Sequence, residues 1–136
     1  MIEMMIVLLI MGIIGSVAYP KFDSFMKNRK TEYFLSSLQK DIIHIQQKAI
    51  NESRVYSITF NNDEHIYKIR ANGSNNHINR SIPKHIIVEG HSMILSIQFN
   101  QYGNISRAGT LYIYSEKQSY KMVFQIGKGK FYVTKQ

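Results

Sequence analysis

The five histidines are the first residues to consider for chemistry, because imidazole is a common general base and metal ligand. They stand at positions 44, 65, 77, 85 and 91, and none has a spacing such as H-E-x-x-H that would place two ligands on one helix face. The chain has no cysteine, which excludes disulfides and thiolate metal sites. It also shows no acidic pair and no nucleophile motif, and GKGK at 127–130 lacks the spacing and following helix of a phosphate-binding loop. The sequence therefore predicts no enzyme, no catalytic residue, no metal and no cofactor.

The distribution of charge points to binding rather than catalysis. The formal net charge is +8, and residues 66–136 hold ten basic side chains against two acidic ones. Residues 1–65 hold seven of each, so the whole excess lies in the second half. This pattern favours an anionic partner there, such as nucleic acid, a teichoic-type polymer or lipid headgroups. The alternative is a basic surface that only keeps the protein soluble.

The chain begins with an apolar segment that could position such a surface at a membrane. Residues 4–19 contain no charged side chain, and as a helix these 16 residues would measure roughly 24 Å. A full span takes about 17–25 residues, so upstream residues would complete it. The basic residues all follow the segment, which conflicts with the positive-inside rule unless a basic leader precedes residue 1. We expect a membrane anchor built on Met4, Ile6, Val7, Leu8, Leu9, Ile10, Ile13 and Ile14.

The helical pattern continues beyond the anchor and then changes to a period of two. Phe34, Leu38, Ile42, Ile45 and Ala49 recur at helical spacing and predict one buried face, with the helix ending near 51–53. From residue 54 onward, alternating segments predict strands at 55–60, 65–71, 93–99, 110–116, 120–126 and 130–135, with a strand-like stretch after residue 83 and a loop at 72–81.

These elements predict an α+β fold. The expected organisation is a membrane or filament-core helix half at 1–25, an amphipathic half at 26–53, and an antiparallel sheet at 54–136. The apolar face offered by the last three strands comprises Leu111, Ile113, Met122, Phe124 and Ile126. It is expected to cover the amphipathic half of the helix.

Two stretches carry a resemblance to a known family. IEMMIVLLIMGIIGSVAYP resembles the start of a type IV pilin or pseudopilin, where a glutamate follows an aliphatic residue and a kinking proline lies farther along. IQFNQYGNISRAGTLYIY and the terminal FQIGKGKFYV resemble the ComGD-type minor pseudopilins of Gram-positive competence systems, which are related to the FimT/GspH class. The resemblance implies a pilin-like fold.

The resemblance also implies roles for two residues. Glu3 would pair with the N-terminal amine of a neighbouring subunit in a filament, and Pro20 would kink the helix. Processing by a prepilin peptidase would require a glycine, phenylalanine and threonine upstream, so translation is expected to begin before residue 1. The implied partners are other minor and major pseudopilins and the membrane. The chain would lie in the cell membrane before assembly and on the cell surface afterwards.

The implied function is assembly or initiation of a competence pilus used in DNA uptake, with a type II secretion pseudopilin as the alternative. A further hypothesis is direct contact with double-stranded DNA, because GKGK is similar to a glycine-arginine-any-arginine motif of DNA-binding FimT relatives. The candidate residues are Arg107, Lys121, Lys128, Lys130 and Lys135, with Tyr120 or Tyr132 nearby. The alternative is that GKG is only a hairpin turn, since glycine tolerates a positive φ.

Overall fold

One long helix and eight strands form the part of the chain that the computed structural model describes. That part comprises residues 2–91, 95–116, 118–127 and 129–136, without the side chains of residues 17–21. The helix is α1 (Ile2–Asn51). The strands are β1 (Tyr56–Asn61), β2 (Ile66–Ala71), β3 (His77–Ser81), β4 (Ile86–Gly90), β5 (Ser96–Phe99), β6 (Gly109–Ser115), β7 (Gln118–Phe124) and β8 (Phe131–Lys135).

The second half of α1 is amphipathic, as its sequence period predicts. Phe34, Leu38, Ile42, Ile45 and Ala49 are all buried, so the expected face is confirmed. Residues three and four apart lie on one side of a helix, which gives the sheets a continuous apolar stripe. The helix ends at Asn51, within the expected range.

The strands form two antiparallel sheets rather than the single sheet expected from the sequence. The first sheet has the order β3-β2-β1-β5 and the second the order β4-β6-β7-β8. The prediction of a loop over 72–81 is wrong for its last part, because β3 pairs there with β2. All five residues of β3 are exposed, so this edge strand lacks the apolar alternation by which strands are found. The α+β class is confirmed.

The inner faces of both sheets and the helix stripe share one hydrophobic core. Ile58, Ile97 and Phe99 come from the first sheet, and Leu111 and Met122 from the second, each fully buried. Four of the five residues predicted as the apolar face of the last strands are in this core. The exception is Ile126, which is 69% exposed because β7 ends at Phe124 and the chain turns before it.

A side chain links the two sheets at one corner. The Asn62 amide donates from Nδ2 to the carbonyl of Val88 at 2.8 Å, and its Oδ1 accepts from the amide of Val88 at 3.1 Å. These two hydrogen bonds imitate the pairing of two strands and join the end of β1 to the middle of β4. Asn62 therefore satisfies both backbone groups of Val88 that would otherwise lack a partner on that side.

The turn between β7 and β8 explains both glycines of GKGK. The amide of Gln125 donates to the carbonyl of Lys130 at 3.1 Å, which closes the turn. Gly127 and Gly129 have φ values of +89° and +56°, a region that side chains disfavour. Gly129 also lies so close to the Gln46 side chain that a Cβ would collide with it. The hairpin-turn interpretation accounts for both glycines, while Lys128 lies outside the described residues.

Candidate functional site

The first turns of α1 present apolar side chains to solvent on every side. The exposed fractions between Ile2 and Ile14 run from 49% at Val7 and Ile10 to 73% at Ile2 and Met5. All the predicted anchor residues, from Met4 to Ile14, belong to this set, which we call the bare helix segment (2–16). Within the described residues, no helix reaches the length and hydropathy of a membrane span.

Glu3 lies on the bare helix segment and Pro20 beyond it. Glu3 is exposed and stands in the first turn of α1, where a carboxylate is favoured by the partial positive charge of the helix N-terminus. Pro20 falls within the range of α1, but its side chain is outside the described residues. The assembly roles of both residues stay predictions.

A concavity lies where the middle of α1, from Met26 onward, meets the loop before β4. This cavity of about 640 Å³ has a basic rim and an aromatic floor, and no carboxylate lines it. The rim residues are Arg29, Lys30, Arg80, Lys84 and His85 together with the exposed Tyr33, and the floor residues are the buried Phe34 and Tyr67. We call this the basic cavity. A concave site with apolar walls and a few polar groups is the usual form of a ligand pocket.

The wall of the basic cavity is held in place by Thr31, which is only 1% exposed. Its hydroxyl donates to the carbonyl of Lys27 at 3.0 Å, and its oxygen lies 3.0 Å from Nε2 of His85 and 3.2 Å from Oγ of Ser115. Thr31 thus ties α1 to the loop before β4 and to the end of β6.

A second tie lies one turn before Thr31. The ammonium of Lys27 contacts Glu116 at 2.9 Å and Asp23 at 3.2 Å. The hydrogen bond to Glu116, followed by that to Asp23, raises the pKa of Lys27. Lys27 is thereby directed toward the β6–β7 turn and away from any ligand of the basic cavity.

Next to the basic cavity, the hydroxyl of its floor residue Tyr67 contacts the carboxylate of Asp41, which does not itself line the cavity. Tyr67 donates to Oδ2 of Asp41 at 2.6 Å, and Nε of Arg80 lies 3.3 Å from the same oxygen. Burial, with the hydrogen bond to Asp41 next in importance, raises the pKa of Tyr67 well above its ordinary value. Tyr67 is therefore a neutral donor at physiological pH, and Asp41 offsets part of the Arg80 charge.

Within the described residues, the positive charges of two lysines on the rim are not offset by a carboxylate. In the described part of the chain, neither Lys30 nor Lys84 has a carboxylate within 4 Å of its ammonium group. Arg29 is likewise without an acidic partner there, and its guanidinium lies 5.3 Å from the ring centroid of Phe25. The basic cavity thus carries an excess of positive charge that a bound anion could neutralise.

The predicted DNA-binding residues that the structure describes do not form one cluster, and Lys128 lies outside the described residues. Gly109, Phe124 and Phe131 are aligned across the second sheet, so Arg107 and Lys130 flank that end. Lys135 closes β8 at the opposite end, four residues and roughly 13 Å from Phe131.

The predicted DNA-binding residues on the second sheet also lie on different faces of it. Lys121 is paired with Thr134 on the outer face of the second sheet, whereas Lys135 is opposite Tyr120, whose side chain is buried in the core. Tyr120 is therefore not available to a ligand, and burial raises its pKa. Tyr132, 50% exposed, lies on the outer face with Lys121. These two residues are the part of the predicted patch that shares a surface.

The outer face of the first sheet carries basic residues that the sequence analysis did not select. Ser57, Thr59, Lys68, Arg70 and His77 line a shallow depression of about 360 Å³. The register places Arg70 between Ser57 and His77, and Lys68 beside Thr59. Glu64 lies 3.1 Å from Lys68 and offsets its charge. The alternation of KIR in β2 was a usable signal, since every second residue of a strand shares a face.

No group of histidine, aspartate and glutamate residues in the described ranges is arranged to hold a metal ion. With these surfaces defined, the chain was compared with known proteins, and no family model, curated protein or solved structure matches it. The functional argument therefore rests on the residues themselves.

Proposed function

We propose that this chain is a minor pseudopilin that assembles into, or initiates, a pilus used in DNA uptake. One observation carries the proposal: a single helix is apolar and exposed on all sides in its first turns and is buried along one face in its later turns. Exposed apolar surface of this extent marks a contact with membrane or with other subunits. The first half of α1 would serve as membrane anchor before assembly and as filament core afterwards.

Glu3 supports the filament role through its cost in a bilayer. An unpaired carboxylate in hydrocarbon costs on the order of 2.5–3.5 kcal/mol on insertion scales. A neighbouring subunit that offers a cationic amine would remove this cost, so the exposed Glu3 favours association. Processing by a prepilin peptidase, if a leader precedes residue 1, would generate that amine.

The anchor can be tested with a matched pair of substitutions in the full chain. Leu8 and Ile126 are both 69% exposed, but Leu8 is on the bare helix segment and Ile126 on the turn after β7. Leu8→Asp is expected to move the protein from the membrane fraction to the soluble fraction, whereas Ile126→Asp leaves the distribution unchanged. Equal distributions for Leu8→Asp and the wild type would refute the anchor.

The filament role needs a different readout. Deleting the gene is expected to abolish DNA uptake in a transformation assay of the source cell, with secretion of extracellular enzymes intact. Glu3→Gln should keep the chain in the membrane but fail to restore uptake, because it removes the charge that pairs between subunits. Normal uptake in the deletion strain together with lost secretion would instead establish the type II secretion alternative.

Direct contact with DNA is a second candidate, favoured by the exposed basic side chains on the outer faces of both sheets. Such contacts would be made to phosphates and would weaken steeply with salt. Fluorescence anisotropy of the full chain with a DNA duplex across a salt series tests it. A reduced salt slope in Arg70→Gln would assign the contact to the first sheet, and in Lys121→Gln to the second. Absence of binding at low salt would exclude it.

A further inference from the structure

The free edge of β3 is open to another strand. The amide of Ile82 donates to the carbonyl of His65 at 2.7 Å, one position beyond the β2–β3 ladder. Hydrogen-bonded and non-hydrogen-bonded pairs alternate along an antiparallel ladder. The backbone N–H and C=O groups of His77, Asn79 and Ser81 therefore point away from β2, and no hydrogen bond among the described residues reaches them. This edge presents a row of donors and acceptors to solvent.

The free edges of β4 and β5, by contrast, are covered. Asn62 occupies both backbone groups of Val88 on β4. On β5, the carbonyl of Gln98 accepts from the amide of Ser106 at 2.9 Å. Unpaired edges invite the addition of a further strand, so proteins usually block them. All residues of β3 are exposed, and the strand contains no proline and no interruption of its register, so it is suited to accept a strand.

A groove runs along β3 on the side that faces α1. It comprises three depressions in succession, which are the basic cavity, a second of about 490 Å³ and a third of about 160 Å³. Arg80 lines both the first and the second, and Ile78 lines the third. The helix lines all three with residues three or four apart, which lie on one side of it: Lys30, Tyr33, Ser37, Lys40, His44 and Lys48. We call this the α1–β3 groove.

The α1–β3 groove has the length of a short strand. Lys30 and Lys48 are 18 positions apart, which is about 27 Å of helix. A strand of about eight residues covers the same distance. Arg80 is paired with Tyr67, whose side chain is buried, so β3 directs Arg80 toward the groove. A strand added beside β3 would likewise direct every second side chain into it.

Positive charge predominates among the residues that line the α1–β3 groove. Asp41 is the only carboxylate among the described lining residues, and it already contacts Tyr67 at 2.6 Å and Arg80 at 3.3 Å. The other lysines and arginines of the lining have no carboxylate within 4 Å in the described part of the chain: Arg29, Lys30, Lys40, Lys48 and Lys84. A segment that carries carboxylates would neutralise them.

We propose that the α1–β3 groove binds an extended acidic segment of a partner protein, which adds to the first sheet as a strand beside β3. The backbone of the segment exchanges hydrogen bonds with His77, Asn79 and Ser81. Its acidic side chains enter the groove, where Lys30 and Lys48 mark the two ends of the positive lining.

The edge of β3 favours a peptide over nucleic acid. Its outward C=O groups need donors, which a peptide backbone supplies at every second residue, whereas phosphate oxygens only accept. Ile78, 51% exposed on the groove side, would be covered by an apolar side chain of the segment. The groove involves no residue of the bare helix segment, so this inference is independent of the proposed anchor.

The charge contacts are tested with the full chain in neutral detergent and a fluorescein-labelled octapeptide of alternating threonine and glutamate, followed by fluorescence anisotropy. The peptide is expected to bind, and replacing its glutamates by glutamine should weaken binding by about tenfold or more, since charge-assisted hydrogen bonds are lost. Lys30→Gln with Lys48→Gln should weaken binding to a similar degree. The matched control, Lys121→Gln with Lys135→Gln, removes the same charge from the second sheet and should leave the affinity unchanged.

The backbone contacts are tested separately. Asn79→Pro removes the outward N–H at the centre of the edge and keeps the ladder with β2, which is how proline is tolerated on edge strands. It should weaken binding by about tenfold or more, while Asn79→Thr retains the affinity. Lys135→Pro is the control on the second sheet. The amide of Gln136 donates to Ser119 at 2.9 Å, so by the same alternation the N–H of Lys135 faces the free edge of β8.

A peptide methylated on every backbone nitrogen gives a further test that leaves the protein unchanged and decides the matter if Asn79→Pro does not fold. It keeps the carboxylates but cannot donate to β3, so it should not bind. The proposal is overturned by equal affinity for the glutamine peptide or the methylated peptide, by unchanged affinity in a folded Asn79→Pro, or by an equal loss in Lys135→Pro. A single-stranded DNA octamer that binds more tightly than the peptide, and depends on Lys30 and Lys48, would assign the groove to nucleic acid instead.

Discussion

Removing one hydroxyl group tests how the sheet holds the helix. Tyr67→Phe keeps the ring, which contacts Phe34 edge-on at 6.1 Å and Phe60 at 5.7 Å between centroids. It deletes the 2.6 Å hydrogen bond to Asp41 and the weaker contact of the hydroxyl with the Ser37 side chain. A hydrogen bond to a charged group contributes roughly 1.5–3 kcal/mol. Asp41 retains Arg80 at 3.3 Å and is 14% exposed, so we expect the lower end, about 1.5 kcal/mol.

The assay is urea unfolding of the full chain in neutral detergent, followed by circular dichroism. The expected loss corresponds to roughly 4–5 °C in Tm for a chain of this size. Tyr56→Phe is the matched control, because Tyr56 also donates to a carboxylate, Glu52, at 2.6 Å. Glu52 is exposed, so water replaces the lost donor and the cost should stay below about 0.5 kcal/mol.

The same variant predicts a pH dependence. Burial raises the pKa of Tyr67 above its ordinary value of 10.0, because ionisation would place a buried anion beside Asp41. The hydroxyl therefore contributes its full stability below pH 10 and loses it as the pH rises toward the folded-state pKa. The difference in unfolding free energy between wild type and Tyr67→Phe should be constant below pH 10 and narrow above it. Equal costs for the Tyr67 and Tyr56 variants, or a difference that widens above pH 10, would refute this reasoning.

Two further predictions concern the junctions between elements. Asn62→Ala removes both hydrogen bonds to Val88 and should cost about 2–3 kcal/mol, measured by thermal unfolding, and an unchanged Tm would show that water substitutes for the amide. Gly129→Ala should destabilise more than Gly127→Ala, since a Cβ at 129 meets the backbone oxygen of Gly103 and the Gln46 side chain while a Cβ at 127 meets open space. The Gly127 substitution carries only the conformational cost of positive φ, about 1–2 kcal/mol, and equal losses in denaturant unfolding would contradict the close contact.

The parts of the fold that depend on local patterns were predictable. The buried stripe from Phe34 to Ala49 follows from helical spacing alone, and β6 to β8 follow from alternation and short turns. The division into two sheets was not predictable, because it depends on pairings between distant segments, such as β1 with β5. β3 was not predicted as a strand, because all its residues are exposed and its sequence has no apolar alternation.

The candidate site could not be predicted from the sequence for the same reason, because it depends on contacts between distant segments. In the sequence, Arg29 and Lys30 are only two of the basic residues that follow the apolar segment, and Lys84 lies more than fifty positions farther along the chain. Only the packing of the loop before β4 against α1 brings them into one cavity. Within the described residues, the register of β8 places Lys135 opposite Tyr120 rather than opposite Lys121, and register depends on the turn geometry.

The order of elements along the chain has a consequence for synthesis. The apolar stripe of α1 is complete once Ala49 has left the ribosome, but the second sheet that helps to cover it is complete only at Lys135, the end of β8. At roughly 5–20 residues per second, those 86 residues take about 4–17 s to be added. During this interval the nascent chain displays both the bare helix segment and an uncovered apolar stripe. Transiently exposed apolar surface is prone to aggregate, so early cover by a chaperone would favour productive folding.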